Sequence, residues 1–517
     1  MKRRATEEVT SSLSRLMISL TLLLYTFLEW IGSAQGENYL AVCYFTNWAP
    51  MKLSPEARLP IQDINPHLCT HLIFAFAKVD PENLTLAATD PYDETKNGVK
   101  GNYAHFTDLK RRNPKLKTVL SIGGAKYSGE GFHTVIENRD SRVTFARNCI
   151  TYIRDREFDG LDVDWEYPGD PPESKFKFTL LLKDLRREFE NEARRSGNER
   201  LVLSAALGVA EEHIEESYEV DKIAPYLDFM SLMTYDYHGP WSGLTGLNSP
   251  LFSRADNIRF HQQLSQEWSV NRWVEAGAPR EKLVLGIAAS GRTFTLQDNS
   301  TTGVGAPAIG PGIQGEFTLV PGVLSYYEIC NFLSDGGEYQ WDDIQKTPFA
   351  YKENQWVGFD DPKSVQAKTE WMIQQRLGGV MIWSLDLDDF SGTYCGQGKF
   401  PLTSAMKMTI DNMTLPEIPE TTPPKTTEVL RPSSTIRYTT KLLPKTTVSS
   451  KTTTKRPTKT TSTTESENLI PSGKTTPKKG SIFVVVTSSA IKAKWNKVST
   501  SILLIGLIVK FVLSWSG

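Results

Sequence analysis

Four acidic residues crowd one short stretch, FDGLDVDWEYPG at 158–169: Asp159, Asp162, Asp164 and Glu166. Carboxyl groups gathered in this way suit acid–base chemistry at a glycosidic bond, where one of them must stay protonated near neutral pH. A solvated acidic loop would not interleave them with Leu161, Val163 and Trp165. The alternation fits a strand, on which successive side chains point to opposite faces. Asp162, Asp164 and Glu166 then share one face, with successive carboxyls roughly 7 Å apart along the strand, and the apolar set packs on the other. Neighbouring carboxylates in a crowded, low-dielectric lumen cannot all ionise, so at least one pKa rises. Glu166 stands nearest the C-terminal end of the strand, the end at which barrel folds carry their chemistry. A calcium site or a satisfied buried polar network is the competing reading. Calcium draws its ligands from glycine-containing loops and backbone carbonyls, which this strand does not resemble.

The elements that must hold such a strand follow from hydrophobic patterning. Apolar, β-branched runs lie at AVCYFT (41–46), HLIFAFA (71–77), KTVLSIGG (117–124), FDGLDVDWEY (158–167), LVLSAAL (201–207), DFMSLMTYD (228–236), KLVLGIAA (282–289) and GGVMIWSLD (378–386). Amphipathic stretches separate them, and SKFKFTLLLKDLRREFENEARR repeats Leu182, Leu185 and Phe189 at helical spacing. Near-continuous apolar strands alternating with helices indicate a parallel sheet covered on its outer face. Eight such units predict an α/β fold, a (β/α)8 TIM barrel. The seventh gap is much longer than the others and holds TTGVGAPAIGPGIQG with the strand-like pieces EFTLV and QWVGFD. A small α+β insertion at about 290–360, one wall of a cleft, is the economical reading of a gap too long for a bare loop.

The ends differ from this middle. Lys2, Arg3, Arg4 and Arg15 precede an apolar run from Leu16 to Leu28 and the small residues of IGSAQG, the layout of a secretory signal peptide over 1–36. An N-terminal membrane anchor is the weaker reading, because the run is short for a span. The catalytic barrel is expected over 37–412. Residues 413–480 are rich in Thr, Pro and Lys, too poor in apolar residues for a core, and read as an O-glycosylated stalk. In 481–517, small residues from Ser488 to Ala490, a polar spacer and an apolar end from Ile502 to Trp515 have the layout of a glycolipid (GPI) anchor signal with Ser488 at the attachment site. Lys510 interrupts the run; a transmembrane helix or a plain secreted chain are the alternatives, and the membrane is a partner only through that anchor. A formal net charge of -2 argues against a nucleic-acid binder. Among five cysteines, four can pair in an oxidising compartment and leave one over; their spacings match no metal motif. Cys149, in FARNCITYI, reads as a buried free thiol. Asn83, Asn299 and Asn412 each open an N-glycosylation sequon.

DGLDVDWE resembles the DxxDxDxE signature of the family 18 glycoside hydrolases, the chitinases. VCYFTNWA, CTHLIFAFA, SIGG, MTYDYHGPW and MIWSLDLDDFSGTYCGQG extend the likeness over 39–410, toward the animal chitotriosidase and acidic chitinase group. The resemblance implies hydrolysis of β-1,4 links between N-acetylglucosamine units with retention. The acetamido oxygen serves as nucleophile, so no second protein carboxylate attacks, an exception to the usual scheme. Glu166 is the implied general acid/base, Asp164 holds the N-acetyl group, Asp162 shares a proton with Asp164, and Asp159 supports the strand start. Tyr235 is the implied hydrogen-bond donor to the acetamido oxygen, with Met233, Thr234 and Asp236 in the same pocket and Tyr44 and Phe76 as its floor. Trp383 corresponds to the tryptophan beneath the distorted sugar, and Trp48 and Trp241 to outer stacking positions. Tyr167 and Arg292 are implied polar contacts; Asp90 and Pro91, and Gly123, Gly124, Ala125 and Lys126 at the third-strand mouth, are further sugar contacts. The pairs Cys43–Cys69 and Cys330–Cys395 are the family's implied disulfides, leaving Cys149 free. No cofactor is implied, and a monomer acting on chitin or its oligosaccharides is expected.

The chain departs from the pattern in two places. The family usually carries tryptophan and asparagine after SIGG, where this chain has Ala125 and Lys126; a Pro-Thr-Tyr run is replaced by Ala288, Ala289 and Ser290. Loss of a stacking indole weakens sugar binding on the order of 1–3 kcal/mol. No cysteine follows Cys395 in this sequence, and the cysteine-rich chitin-binding module in which many secreted relatives end is not expected here. A chitin-binding lectin on the same fold is therefore the rival reading, and a mucin-like adhesion protein a third. The retained acids favour the enzyme.

Overall fold

The computed structural model describes residues 39–129, 131–254 and 262–412. The expected signal peptide over 1–36, the stalk over 413–480 and the anchor signal over 481–517 with Ser488 lie outside the described residues. Eight parallel strands form a closed ring: β1 (Leu40–Thr46), β2 (His71–Asp80), β3 (Lys117–Gly123), β4 (Gly160–Asp164), β5 (Val202–Leu207), β6 (Phe229–Leu232), β7 (Leu283–Ala288) and β8 (Gly379–Trp383). β8 pairs with β1, so the ring has no free edge. This is the predicted barrel. An extra strand, Thr85–Ala88, pairs antiparallel with the end of β2 and was not expected.

The apolar residues divide by strand parity into two cores. Val42, Tyr44, Ile73, Ala75, Val119, Phe229, Val284 and Met381 fill the lumen. Leu161, Val163 and Trp165 join the larger core between strands and helices. The long covering helices include α1 (Arg139–Asp155) and α2 (Glu173–Ser196). α1 starts at a reciprocal cap between Asn138 and Ser141 and buries Cys149. α2 buries Leu182, Leu185 and Phe189. The first crossover is not a helix but three 3-10 turns, Ala49–Met51, Pro55–Ala57 and Ile61–Asp63. Pro50, Pro55 and Pro60 recur every five residues there, and each removes an N–H that a longer helix would need.

Between β7 and β8 the chain builds a second, antiparallel sheet of six strands with a helix, α3 (Tyr326–Ser334). Its first strand, Ser290–Leu296, follows β7 after a single residue, and its last, Gln355–Gly358, takes in the predicted QWVG. EFTLV (316–320) is not a strand. The carboxylate of Glu328, in the first turn of α3, accepts from the N–H groups of Phe317 and Thr318 and holds that segment as a turn. Two of the predicted strands are shorter than expected: β4 ends at Asp164 and β6 at Leu232, so Glu166 and Tyr235 stand on the loops beyond. Cys43–Cys69 joins β1 to the entry of β2, and Cys330–Cys395 ties α3 to the segment after β8. Asn83, Asn299 and Asn412 are exposed. Among the described residues no helix is long and apolar enough to cross a membrane.

Trp165 shows how the helix layer supports the acidic strand. Its ring stacks on Phe132 with centroids 4.8 Å apart and meets Phe178 edge-on. Trp165→Ala is expected to cost about 3–5 kcal/mol, the range for emptying a buried aromatic site, measured as a lowered urea midpoint.

Candidate active site

The lumen-facing residues of β4 meet their partners level by level. Register pairs Asp162 with Ser121 on β3 and with Ser204 on β5. Ser121 donates to Asp162 Oδ2 at 2.7 Å, Ser204 to Oδ1 at 2.7 Å, and the Tyr44 hydroxyl on β1 to Oδ2 at 2.9 Å. Complete burial pushes the Asp162 carboxyl above the usual range, and these three donors pull the other way. Tyr44 is itself buried and oriented by this bond, so it supports the site from beneath.

One level higher, Asp164 pairs in register with Gly123. Gly123 has φ +105°, and a Cβ there would lie 2.1 Å from the Asp164 carbonyl, so only glycine fits. Asp164 is held well above the usual carboxylate range by burial first, then by the charges of Glu166 and Asp162. Its Oδ1 is buried without a hydrogen-bond partner among the described residues. A buried acceptor left open is costly, and a ligand that brings an N–H or O–H donor would relieve it.

Glu166 lies two residues past the end of β4. Its N–H donates to Ser128 Oγ at 2.8 Å, and that hydroxyl donates to the Gly124 carbonyl, also at 2.8 Å. Burial pushes its carboxyl up to about 7, the Asp236 charge adds to the rise, and a Tyr167 hydrogen bond opposes it. A group of that kind is protonated for much of the neutral range and can donate a proton to a bound oxygen. Asp236 is clamped by Arg292, whose Nε donates to Oδ1 at 2.6 Å and whose Nη2 donates to Oδ2. The Arg292 guanidinium lies 5.4 Å from the Trp241 ring, which is exposed and packs over Gly239.

Aromatic rings line the floor beside the acids. Trp383, the last residue of β8, stacks on Phe76 with centroids 5.9 Å apart and tilts against Tyr44 at 5.3 Å. Trp48 tilts against Phe76 with centroids 6.3 Å apart. Gly124 fits beneath that ring: a Cβ would lie 2.5 Å from Phe76 Cε2. Tyr235 is surrounded by the charges of Asp164, Asp236, Glu166 and Asp162, and with burial these hold its hydroxyl protonated. Met233 is half-buried on the same loop. Tyr167 stacks face to face on His213, centroids 3.9 Å apart.

Not every predicted contact is available. Thr234 is fully buried; its hydroxyl donates to the Gly286 carbonyl, and its own carbonyl accepts from Gln266, so it braces the loop and offers sugar no surface. Asp159 acts as expected at the strand start, accepting from the Thr118 N–H and hydroxyl and pairing with Lys110. Ala125 and Lys126 are exposed on the short turn after β3. Asp90 accepts from the Tyr92 N–H on the loop beyond the extra hairpin strand, and Pro91 is exposed beside it. Sequence reasoning missed Ser121, Ser204, Ser128 and His213. The first two carried a signal, a hydroxyl at lumen parity in an otherwise apolar strand; the others become partners only through the fold.

The donors on Asp162 give a direct test. Ser121→Ala leaves one lone pair of a buried carboxyl unmet and is expected to cost about 1–3 kcal/mol in denaturant unfolding, with an unchanged m-value.

Residues 41–388 match the family described as Glycosyl hydrolases family 18. Chitotriosidase-1 of Mus musculus is 40% identical over 405 residues, covering 77% of this chain and 83% of that protein. Chitinase-3-like protein 2 of Homo sapiens is 40% identical over 380 residues, covering 73% of this chain and 94% of that protein. Among solved structures, human YKL-39, described as a pseudo-chitinase with retained chitooligosaccharide binding properties, matches with TM-score 0.68 and 40% identity over 72% of this chain and 100% of that one.

Proposed function

The chain belongs to glycosyl hydrolase family 18, and on that premise we propose that it is a chitinase, cleaving β-1,4 links between N-acetylglucosamine units. One observation carries the reading: a carboxyl raised to about 7 at Glu166 stands beside Asp164, whose buried Oδ1 lacks a donor. An acetamido N–H supplies that donor. Asp164 thereby turns the acetamido group so that its carbonyl oxygen reaches the anomeric carbon. As that bond forms, the glycosidic bond breaks and its oxygen takes the Glu166 proton. The leaving sugar departs as an alcohol, and Asp164, its shared proton passing to Asp162, balances the positive charge on the oxazolinium ring. Glu166, now a carboxylate, takes a proton from water as the water opens the ring, which restores the acid and retains configuration. Tyr235 donates to the acetamido oxygen, and Trp383 meets the C–H face of the sugar above it. Trp48 and Trp241 extend the stacking surface outward, with Arg292, Tyr167, Met233, Asp90 and Pro91 as further contacts.

A second reading has a specific observation behind it. A 40% identical relative is described as binding chitooligosaccharides as a pseudo-chitinase, and Ala125 leaves this cleft without an indole at the third-strand mouth. On that reading the same groove binds without turnover. For cell biology, we place the protein in the secretory route: 1–36 is the signal peptide, 413–480 a glycosylated stalk, and 481–517 a lipid-anchor signal around Ser488, which would hold a monomeric barrel at the outer cell surface.

Hydrolysis of a fluorogenic chitooligosaccharide decides between enzyme and lectin. The purified protein is expected to turn over, and Glu166→Gln to lose turnover by 10³-fold or more while still binding the oligosaccharide (about 4 kcal/mol of barrier per 10³). Binding without turnover in the unsubstituted protein establishes the lectin instead. The sign of the pH dependence follows from the raised carboxyl: the acid must be protonated, so the rate should fall about tenfold per pH unit once pH passes about 7. A rate still rising at pH 8 would remove Glu166 from the role.

A further inference from the structure

Asp236 stands four residues past β6 with φ +61°, the left-handed region that a non-glycine residue adopts only when held there. The group that holds it is Asn248. Asn248 Oδ1 accepts from the Asp236 N–H at 3.0 Å, and the Asn248 carbonyl accepts from the Tyr237 N–H at 3.1 Å. On its other side Asn248 Nδ2 donates to the Ser290 carbonyl at 3.0 Å, at the start of the insertion strand that carries Arg292. Asn248 is completely buried. One side-chain amide therefore joins the loop bearing Asp236 to the strand bearing Arg292, two residues whose side chains pair and of which Asp236 bears its charge on Glu166. The residue after Asn248 is anchored in turn. The Lys368 ammonium, fully buried and paired with Asp360, donates to both the carbonyl and the hydroxyl of Ser249.

We infer that Asn248 is a positioning residue that fixes the Asp236–Arg292 pair against Glu166. It touches neither Glu166 nor the sugar groove and acts through Asp236. The titratable groups around Glu166 are Asp164 and Tyr167 on its own segment, Tyr218, Tyr235 and Asp236, with Asp162 behind Asp164, Arg292 behind Asp236 and His213 stacked on Tyr167. Of these, the Asp236 charge acts with burial to raise the Glu166 carboxyl. Without Asn248 the Asp236 backbone is free to leave the left-handed region, and its carboxylate follows Arg292 toward the insertion. A negative charge withdrawn from an acid makes its proton easier to lose, so the midpoint of Glu166 moves down.

The test is a titration of the carboxyl band that disappears in Glu166→Gln, followed by difference infrared spectroscopy on the purified full chain. Asn248→Ala is expected to lower the midpoint by about one pH unit, a tenfold change in proton affinity. Asp236→Asn is expected to lower it as well, and Asn248→Ala to add nothing in the Asp236→Asn background. An unshifted midpoint in folded Asn248→Ala, or an equal shift with and without Asp236, overturns the assignment. If Asn248→Ala does not fold, Asn248→Ser, polar but too short to bridge both segments, is titrated instead; failure of both to fold also overturns it, since the residue then serves folding. The kinetic consequence, an alkaline limb shifted down with KM little changed, rests on the hydrolytic reading. The infrared titration needs no turnover, so an inactive protein would sink that reading and leave this one to be decided on its own.

Discussion

Burying three acidic side chains along the inner face of a closed barrel is the constraint to which the surrounding residues answer. A carboxyl group taken out of water must find donors, share a proton or stay neutral, and each of the three does so differently. Asp162, deepest, collects three hydroxyl donors from three strands. Asp164, next up, has a neighbour on each side and an oxygen without a donor. Glu166, nearest the mouth, has left the strand ladder; Ser128 accepts from its backbone N–H, and its carboxyl is kept up to about 7 by burial and the Asp236 charge, against a Tyr167 hydrogen bond. The unmet acceptor thus lies on the middle acid, between the satisfied Asp162 and the raised Glu166.

The same constraint explains the small residues nearby. Gly123 and Gly124 have no room for a Cβ, because the Asp164 backbone and the Phe76 ring occupy that space. The close approach lets strand β3 pass under the aromatic floor without pushing it away from the acids. The opposite parity of β4 does the complementary work: Leu161, Val163 and Trp165 pack into the helix layer and keep the strand from rotating its carboxyl groups outward.

The insertion is more than a wall. It enters directly from β7, so its first strand brings Arg292 to Asp236, and the polar link through Asn248 runs from the loop after β6 to the same strand. The Cys330–Cys395 bond fastens the helix of the insertion to the segment that follows Trp383. The added sheet thus supplies the countercharge to Asp236, while the aromatic surface beside the acids comes from the barrel strands themselves. The turn that carries Ala125 and Lys126 exposes both side chains, while its ends, Gly124 and Ser128, are tied through Ser128 to the Glu166 backbone.

Local pattern determined a good deal by itself. The two-residue period of FDGLDVDWEY already separates lumen from helix layer, because side-chain direction on a strand depends on parity and not on what the strand packs against. Eight apolar runs of similar length, one long gap and the resemblance across 39–410 gave the barrel, its insertion and both disulfide pairs. Three kinds of fact could not be read that way. Where a strand stops depends on its neighbours' ladders, so Glu166 and Tyr235 fall on loops. Whether a residue in a motif faces the groove or braces it depends on packing, so Thr234 turns inward to Gly286. The partners Ser121, Ser128 and Ser204 are 38 to 42 residues from the groups they serve on Asp162 and Glu166, and Asn248 is 12 residues from Asp236. Hydrogen bonds form between atoms brought within about 3 Å, and only the closed barrel brings those atoms that close.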